Sequence, residues 1–345
     1  MKKSKHPVLL GKESALAVVA AIKQAIENAT TITLVTHVAP DGDAIGSLTA
    51  MGLMLQQMGK RPQLICEDDA PARFRYLPLA EQVQTTPPAI SPELLIALDC
   101  GDESRMGKVF AELPTPPSQV INIDHHVTNT RFGSINLVDT TANATVEILY
   151  DLLPGLGITL SQPLAECLLT GLVTDTLGFR TNGVTPHTLR AAANLIEAGA
   201  DLNTITQKSL TVKPLTNLYL WQIGLNNMRF QEGLLWSTLT HEDQKTSGYM
   251  SASSSGLVNM LGDTEQAAIG AVLQQMEDGR VVVSFRCRPP FDVSMLASDL
   301  GGGGHPLAAG CTLEMSLAEA ERMVVELGIQ TIREQKRQFR FNGHG

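Results

Sequence analysis

An imidazole and two carboxylates stand within seven positions in His37-Val-Ala-Pro-Asp41-Gly-Asp43. Two apolar runs farther on also end in such groups: Leu94 to Leu98 leads into Asp99, and Val120 to Ile123 leads into Asp124-His125-His126. Imidazoles and carboxylates gathered at the ends of apolar runs form a pattern for holding divalent cations, although Pro-Asp-Gly alone is also an ordinary turn. The set is rich in carboxylates and has no thiolate, which suits Mn²⁺ or Mg²⁺ better than structural zinc. Several acids in one pocket repel one another unless cations compensate them, and that need favours two metals over one. A metal pair activates a water and stabilises the attacking and leaving oxygens of a phosphoryl displacement, so the expected chemistry is hydrolysis of a phosphate ester.

Those residues need a scaffold that brings separate chain segments to one edge. The spacing over 14–29 predicts an amphipathic helix, and Thr31 to Thr36 reads as a short β-branched strand. A second helix is predicted from Ala44 to Met58, and strands near Gln63 to Cys66, Leu94 to Leu98 and Val120 to Ile123. This alternation predicts an α/β fold built on a parallel sheet, whose carboxyl edge is where ligands of open sheets bind. Helices are expected to dominate from Thr145 to Met228. After that come a strand-like stretch, Arg229 to Thr240, and a hairpin of Ala267 to Gln275 and Val281 to Arg286 around Glu277-Asp278-Gly279. A short helix at Asp292 to Leu300, an apolar segment at Ala308 to Leu313 and a helix from Ser316 to Lys336 follow, with Lys336 to Gly345 expected to fray.

Two further motifs carry chemistry. Asp175 in Leu169-Thr-Gly-Leu-Val-Thr-Asp-Thr-Leu-Gly-Phe-Arg180 follows a helix-like run, and by spacing it is equally a ligand or a polar helix end. In Gly301-Gly-Gly-Gly-His305, four glycines let backbone N–H groups approach a phosphate or base, where the alternative is a flexible loop. His305, with Arg286 and Arg288 on a nearby predicted strand, favours an anion site in the second half. No Gly-Lys-Ser/Thr follows the glycines, so this is not a Walker loop.

A chain of 345 residues exceeds what one core usually fills, so two domains are expected. The 35 acidic residues outnumber the 26 basic ones, and a net charge of -9 repels long polyanions while leaving room for a small anionic substrate at a local site. Five widely spaced cysteines read as buried thiols of a reducing, cytoplasmic compartment. The basic Met1-Lys2-Lys3 is followed by an apolar stretch too short for a signal peptide, and no run approaches a membrane span. A homodimer is the assembly that base rates favour.

Taken together and in this order, the THVAPDGD loop, Asp99, the Asp124-His125-His126 triplet, TDTLGFR and the GGGGH loop resemble the DHH phosphoesterase family and its DHHA1 C-terminal domain. The resemblance covers most of the chain. It implies a DHH catalytic domain over 1–215, a helical linker over 216–235 and a smaller mixed α/β DHHA1 domain over 236–345, with the active site in the cleft between the domains. It implies that His37, Asp41 and Asp99 hold one metal, and that Asp43, Asp99, His125 and Asp175 hold the other, with Asp99 bridging. His126 would stabilise or protonate phosphate oxygens, while Gly303, Gly304, His305 and Arg286 would bind the nucleotide end. Arg105 and Arg180 are further candidates for phosphate contacts, with surface salt bridges an equal alternative. The layout is similar to that of stand-alone oligoribonucleases and pAp phosphatases, with no membrane or sensor segment expected ahead of the catalytic unit. The implied substrates are pAp, RNA of two to five nucleotides, pApA or cyclic dinucleotides. Competing readings are a cyclic di-AMP-specific phosphodiesterase, a nucleotide sensor without turnover, and hydrolysis of pyrophosphate or polyphosphate.

Overall fold

A computed structural model describes residues 12–251 and 253–342. The reading of the first eleven residues as too short for a signal peptide lies outside them. The chain divides into two compact units, Met1–Val212 and Lys213–Gly345.

The first unit runs α1 (Lys12–Asn28), β1 (Ile32–Val35), α2 (Gly42–Gln57), β2 (Gln63–Ile65), β3 (Leu94–Leu98), α3 (Lys108–Ala111), β4 (Gln119–Asp124), β5 (Ile135–Val138), α4 (Thr145–Leu156), α5 (Gln162–Asp175), α6 (Pro186–Glu197) and α7 (Leu202–Thr206). The five strands pair in the order β2-β1-β3-β4-β5, and every pairing is parallel. β1 and β3 are buried along their whole length, which is why they read as unbroken apolar runs. Leu34, Ile96, Leu98, Ile121 and Ile123 join the helices in the main core, whereas Val35, Ile65, Leu95 and Ala97 face a smaller cluster with Val109 of α3. From β1 the chain goes to β2 on one side and returns to β3 on the other. The strand order therefore reverses between β1 and β3, the position at which such sheets open a crevice beyond their carboxyl ends.

α2 and α5 approach closely because both carry glycine at the crossing. A Cβ on Gly46 would lie 2.8 Å from the Cys167 carbonyl, and one on Gly171 would lie 2.6 Å from Asp43 Oδ1. This close approach brings the end of α5 to the start of α2.

The second unit runs α8 (Leu215–Asn226), β6 (Arg229–Gln231), β7 (Leu234–Leu239), α9 (His241–Ser247), α10 (Leu257–Gly262), β8 (Ile269–Gln275), β9 (Val281–Cys287), α11 (Ser294–Asp299), β10 (Gly303–His305), β11 (Ala308–Leu313) and α12 (Leu317–Asn342). Its sheet has the order β10-β11-β9-β8-β7-β6 and is mixed, since β7 and β8 pair in parallel and the other pairs are antiparallel. The stretch 216–235, expected as a helical linker, holds most of α8, all of β6 and the start of β7, and Leu220 of α8 is buried in one cluster with Leu235 and Leu239. The fraying expected from Lys336 onward is corrected: α12 continues to Asn342, and Phe339 packs edge-on against Phe291 with ring centroids 5.5 Å apart. The remaining residues of that tail, 343–345, lie outside the described ones.

All five cysteines are buried and unpaired. Among the described residues no helix is long and apolar enough to cross a membrane.

Candidate metal centre

Four elements of the first unit deliver the cluster. His37 follows β1, and its loop is clamped from both sides: Val38 N–H donates to the Arg105 carbonyl at 2.9 Å, and Ala39 N–H donates to Asp68 Oδ2 at 2.6 Å. Those bonds hold Ala39 at a left-handed φ of 52°. Asp41 then caps α2, accepting from the N–H groups of Asp43 and Ala44 at 3.0 Å each. Asp99 follows β3 with φ 61°, a conformation that Asp tolerates better than most residues, and its N–H donates to Ile123 O at 3.0 Å. His125 and His126 follow β4, and Asp175 is the last residue of α5.

His37 Nδ1–H donates to the Val38 carbonyl at 2.8 Å, so Nε2 faces the carboxylates, 3.5 Å from Asp99 Oδ2 and 3.9 Å from Asp41 Oδ1. His125 Nε2 lies 3.3 Å from Asp175 Oδ2, 3.6 Å from Asp99 Oδ1 and 3.9 Å from Asp43 Oδ2. These separations are long for hydrogen bonds and close to those between neighbouring donors around one cation, about 3 to 3.5 Å for bonds of about 2.1 Å. Three overlapping groups therefore have donor atoms gathered tightly enough to hold an ion: His37, Asp41 and Asp99; Asp43, His125 and Asp175; Asp99, His125 and His126.

The electrostatics also call for cations. Burial, with the charges of Asp99 and Asp41, pushes the Asp43 carboxyl well above the usual carboxylate range, and the N–H groups of Thr145 and Val146 only partly oppose it. Burial and the charges of Asp43, Asp41 and Asp99 push Asp175 up in the same way. Burial alone would raise Asp99 too, yet the three surrounding imidazoles outweigh it and hold Asp99 low. His37 is raised, because its contact with Asp99 and that residue's charge overcome burial. Without cations the cluster balances itself by sharing protons between carboxylates and imidazoles. The donor set fits divalent ions that would take the place of those protons.

His126 is held differently. Its Nδ1–H donates to Asp124 Oδ1 at 2.7 Å, and Asp124, fully buried, also accepts from Asn129 Nδ2 at 2.6 Å. That bond to Asp124 is the main cause of a raised His126 pKa. The ring is 39% exposed, so a buried carboxylate raises the proton affinity of a solvent-facing imidazole beside the acidic cluster.

Residues 31–172 match the family model for the DHH family, N-terminal domain, and residues 239–334 match the DHHA1 domain. NrnA from Thermus thermophilus, a bifunctional oligoribonuclease and PAP phosphatase, is 35% identical over 317 residues, covering 90% of this chain and 92% of that one. The chain belongs to the DHH family. The NrnA of Bacillus subtilis, of the same description, is 27% identical over 86% of this chain and 93% of its own. A crystal structure of an exopolyphosphatase-related protein from Bacteroides fragilis has the same fold, with a TM-score of 0.83 at 24% identity over 94% of this chain and 98% of that one.

The DHH triplet thus has two functions in this fold: Asp124 anchors His126, and the two imidazoles face the acids. Among the candidate phosphate contacts, Arg105 brings its guanidinium within 3.1 Å of His37 Nδ1, beside the cluster. Arg180 donates through Nε to its neighbour Leu177 O at 2.7 Å and is exposed. In the DHHA1 domain, His305 pairs with Ala308, which pairs with Arg286, so the three side chains leave one face of the sheet in a row. His305 and Arg286 stand two strands apart, about 10 Å at the backbone. Arg286 is half-buried and has no carboxylate partner among the described residues; burial lowers its pKa. Arg288 instead donates to Thr264 O at 2.8 Å and ties the turn after α10 to the sheet.

The glycine run divides by role. A Cβ on Gly304 would stand 2.5 Å from Ala309 Cα, so glycine there lets β10 pack on β11, whereas Gly303 has open space at that position. Sequence reasoning missed Thr145, Asp68 and Asn129, all of which orient cluster residues, and gave Asp124 no separate role. For Thr145 a signal existed: α4 starts after Ala144, which has no side chain to cap it.

Proposed function

We propose that this chain is a metal-dependent phosphoesterase that hydrolyses small nucleotides: oligoribonucleotides of two to five residues, pAp, and linear or cyclic dinucleotides. The observation that carries the reading is Asp99, a buried carboxylate with one oxygen 3.5 Å from His37 and the other 3.6 Å from His125, in a chain 35% identical to an oligoribonuclease and PAP phosphatase. His37, Asp41 and Asp99 would hold one divalent cation and Asp43, Asp99, His125 and Asp175 the other, with Asp99 shared. Mn²⁺ suits this carboxylate-rich set, and Mg²⁺ is the other candidate. When bound, such a pair supplies Lewis acidity and a water of lowered pKa.

The chain's own residues do the rest. His126, whose proton affinity Asp124 raises, offers a proton or a charge-assisted hydrogen bond to an oxygen of the scissile phosphate. Arg105, beside His37, is placed to pair with a phosphate oxygen, and Arg180 is the more distant candidate. The DHHA1 face with Gly303, Gly304, His305 and Arg286, which has no carboxylate partner among the described residues, offers a surface suited to the phosphate or base of a nucleotide. The net charge of -9 suits short substrates, since long strands draw affinity from many Lys and Arg contacts. Five buried thiols suit the cytoplasm.

The test is product analysis after incubating the protein with Mn²⁺ and a panel of pAp, short ribonucleotides, pApA, cyclic di-AMP and pyrophosphate. Mononucleotides released from the short oligomers or pApA, or AMP from pAp, are the expected result. Pyrophosphate as the sole substrate, or tight nucleotide binding with no turnover, would refute it.

A further inference from the structure

Helix α4 begins without a cap of its own. Its N-cap residue is Ala144, whose methyl group accepts nothing, although a helix start leaves several N–H groups without partners. Asp43 takes two of them from across the fold: Thr145 N–H donates to Oδ2 at 2.6 Å, and Val146 N–H to Oδ1 at 3.1 Å. The same threonine makes a third bond. The Thr145 hydroxyl donates through Oγ1 to Asp99 Oδ1 at 2.9 Å. Thr145 is fully buried, so water does not compete for any of these bonds.

The two acids gripped by this one residue come from different strand ends, after β1 and after β3; both face His125, and Asp99 alone also faces His37. The backbone of Asp99 is already fixed by its N–H bond to Ile123. What remains free is rotation of its carboxylate, which the Thr145 hydroxyl stops. Rotation would trade contact with His37, on Oδ2, against contact with His125, on Oδ1.

We propose that Thr145 is a positioning residue of the metal centre, whose hydroxyl fixes the Asp99 carboxylate in the orientation that serves both cation sites while its N–H fixes Asp43. The inference rests on the metal-binding reading above. Thr145 does not touch substrate. It acts through Asp99, as hydrogen-bond partners behind metal ligands commonly do, where loss of one lowers metal affinity about 10- to 100-fold.

The experiment is calorimetric titration of Mn²⁺ into cation-stripped wild type, Thr145→Val, Thr145→Ala and Thr145→Ser, with the Mn²⁺ dependence of turnover measured alongside. Valine keeps the shape and loses the hydroxyl, alanine avoids any crowding, and serine restores the hydroxyl. At least tenfold weaker Mn²⁺ binding is expected in Thr145→Val and Thr145→Ala, with Thr145→Ser within about threefold of wild type. Turnover in the valine variant should recover at high Mn²⁺ with an unchanged KM for the nucleotide. Wild-type Mn²⁺ affinity in both the valine and alanine variants, even with a lowered melting temperature, would make Thr145 a packing residue only and overturn the proposal. A wild-type protein that takes up no divalent cation would overturn the metal-centre reading itself, a different result from equal affinities.

Discussion

Stripping divalent cations from the protein and restoring them is expected to move the melting of the first domain by an amount that grows with pH. In the cation-free cluster, burial and neighbouring charges hold Asp43 and Asp175 well above the usual carboxylate range. A carboxyl whose folded pKa is raised binds its proton more tightly folded than unfolded. Its contribution to stability is complete below the unfolded value, near about 4, and is lost as pH rises toward the folded value. The raised His37 adds stability below its unfolded value, near about 6.5, and loses it as pH rises through the folded one. All three groups weaken the cation-free domain as the solution becomes neutral and then alkaline. A bound cation takes over from those protons, so its affinity rises with pH. At a hundredfold excess over Kd, one site adds about 2.7 kcal/mol. For a domain of this size each kcal/mol corresponds to about 2 to 4 °C, which gives about 5 to 11 °C for one site and about twice that for two. Both tryptophans, Trp221 and Trp236, lie in the second unit, so scanning calorimetry and not intrinsic fluorescence reads the effect. A Mn²⁺-induced shift no larger at about pH 8 than at about pH 5.5, or one below about 1 °C at saturation, would refute the electrostatic account.

Asp124→Asn should lower kcat about 100-fold and move the alkaline limb of the pH–rate profile to lower pH, because His126 acts protonated and loses the partner that raises it; an unmoved limb in the pH series would contradict this role. His305→Ala should raise KM for nucleotide substrates about tenfold while leaving Mn²⁺ affinity unchanged, as checked by steady-state kinetics and titration; an unchanged KM would remove the DHHA1 face from substrate binding. Gly171→Ala should destabilise the first domain by about 1 to 3 kcal/mol and weaken Mn²⁺ binding, because the new methyl would stand 2.6 Å from Asp43 Oδ1 and 2.7 Å from Val146 Cγ1. Alanine normally favours a helix over glycine by up to about 1 kcal/mol, so a higher melting temperature would show that α2 and α5 separate freely.

The ends of β1, β3 and β4 were legible because strands buried on both faces leave unbroken apolar runs, and each run here stops at a group with no business in a core. The β8–β9 turn was legible from Asp278-Gly279, where φ is 85° at the glycine. β5 was not, since Ile-Asn-Leu-Val at the sheet edge is only half-buried and Asn136 interrupts the pattern. β10 is two glycines and a histidine, and its strand character comes from pairing with β11 rather than from any propensity of its own. Arg229 to Thr240 reads as one strand, yet Glu232 and Gly233 fold it into a hairpin, with Glu232 at φ 53° bound to Arg333 of α12. The clustered residues other than Asp175 could be named from their types and order, and Asp175 from the family resemblance. The groups that aim them were harder to read: Thr145 and Asp68 act through bonds between segments distant in sequence, with only the uncapped start of α4 as a hint for Thr145, and Asn129 reaches Asp124 from a loop five residues on with no motif to mark it.

The cap on α4 also sets an order for events during synthesis. Asp43 and the N–H it binds are 102 positions apart, so at about 5 to 20 residues per second the His37–Asp43 loop waits about 5 to 20 s before α4 is made. For that interval the nascent chain holds an acidic loop without the helix that neutralises it. The last cluster residue, Asp175, comes before the second unit begins at Lys213. All the residues of the proposed cation cluster are therefore made before the second unit, and a chain cut short after the first unit would still carry every one of them.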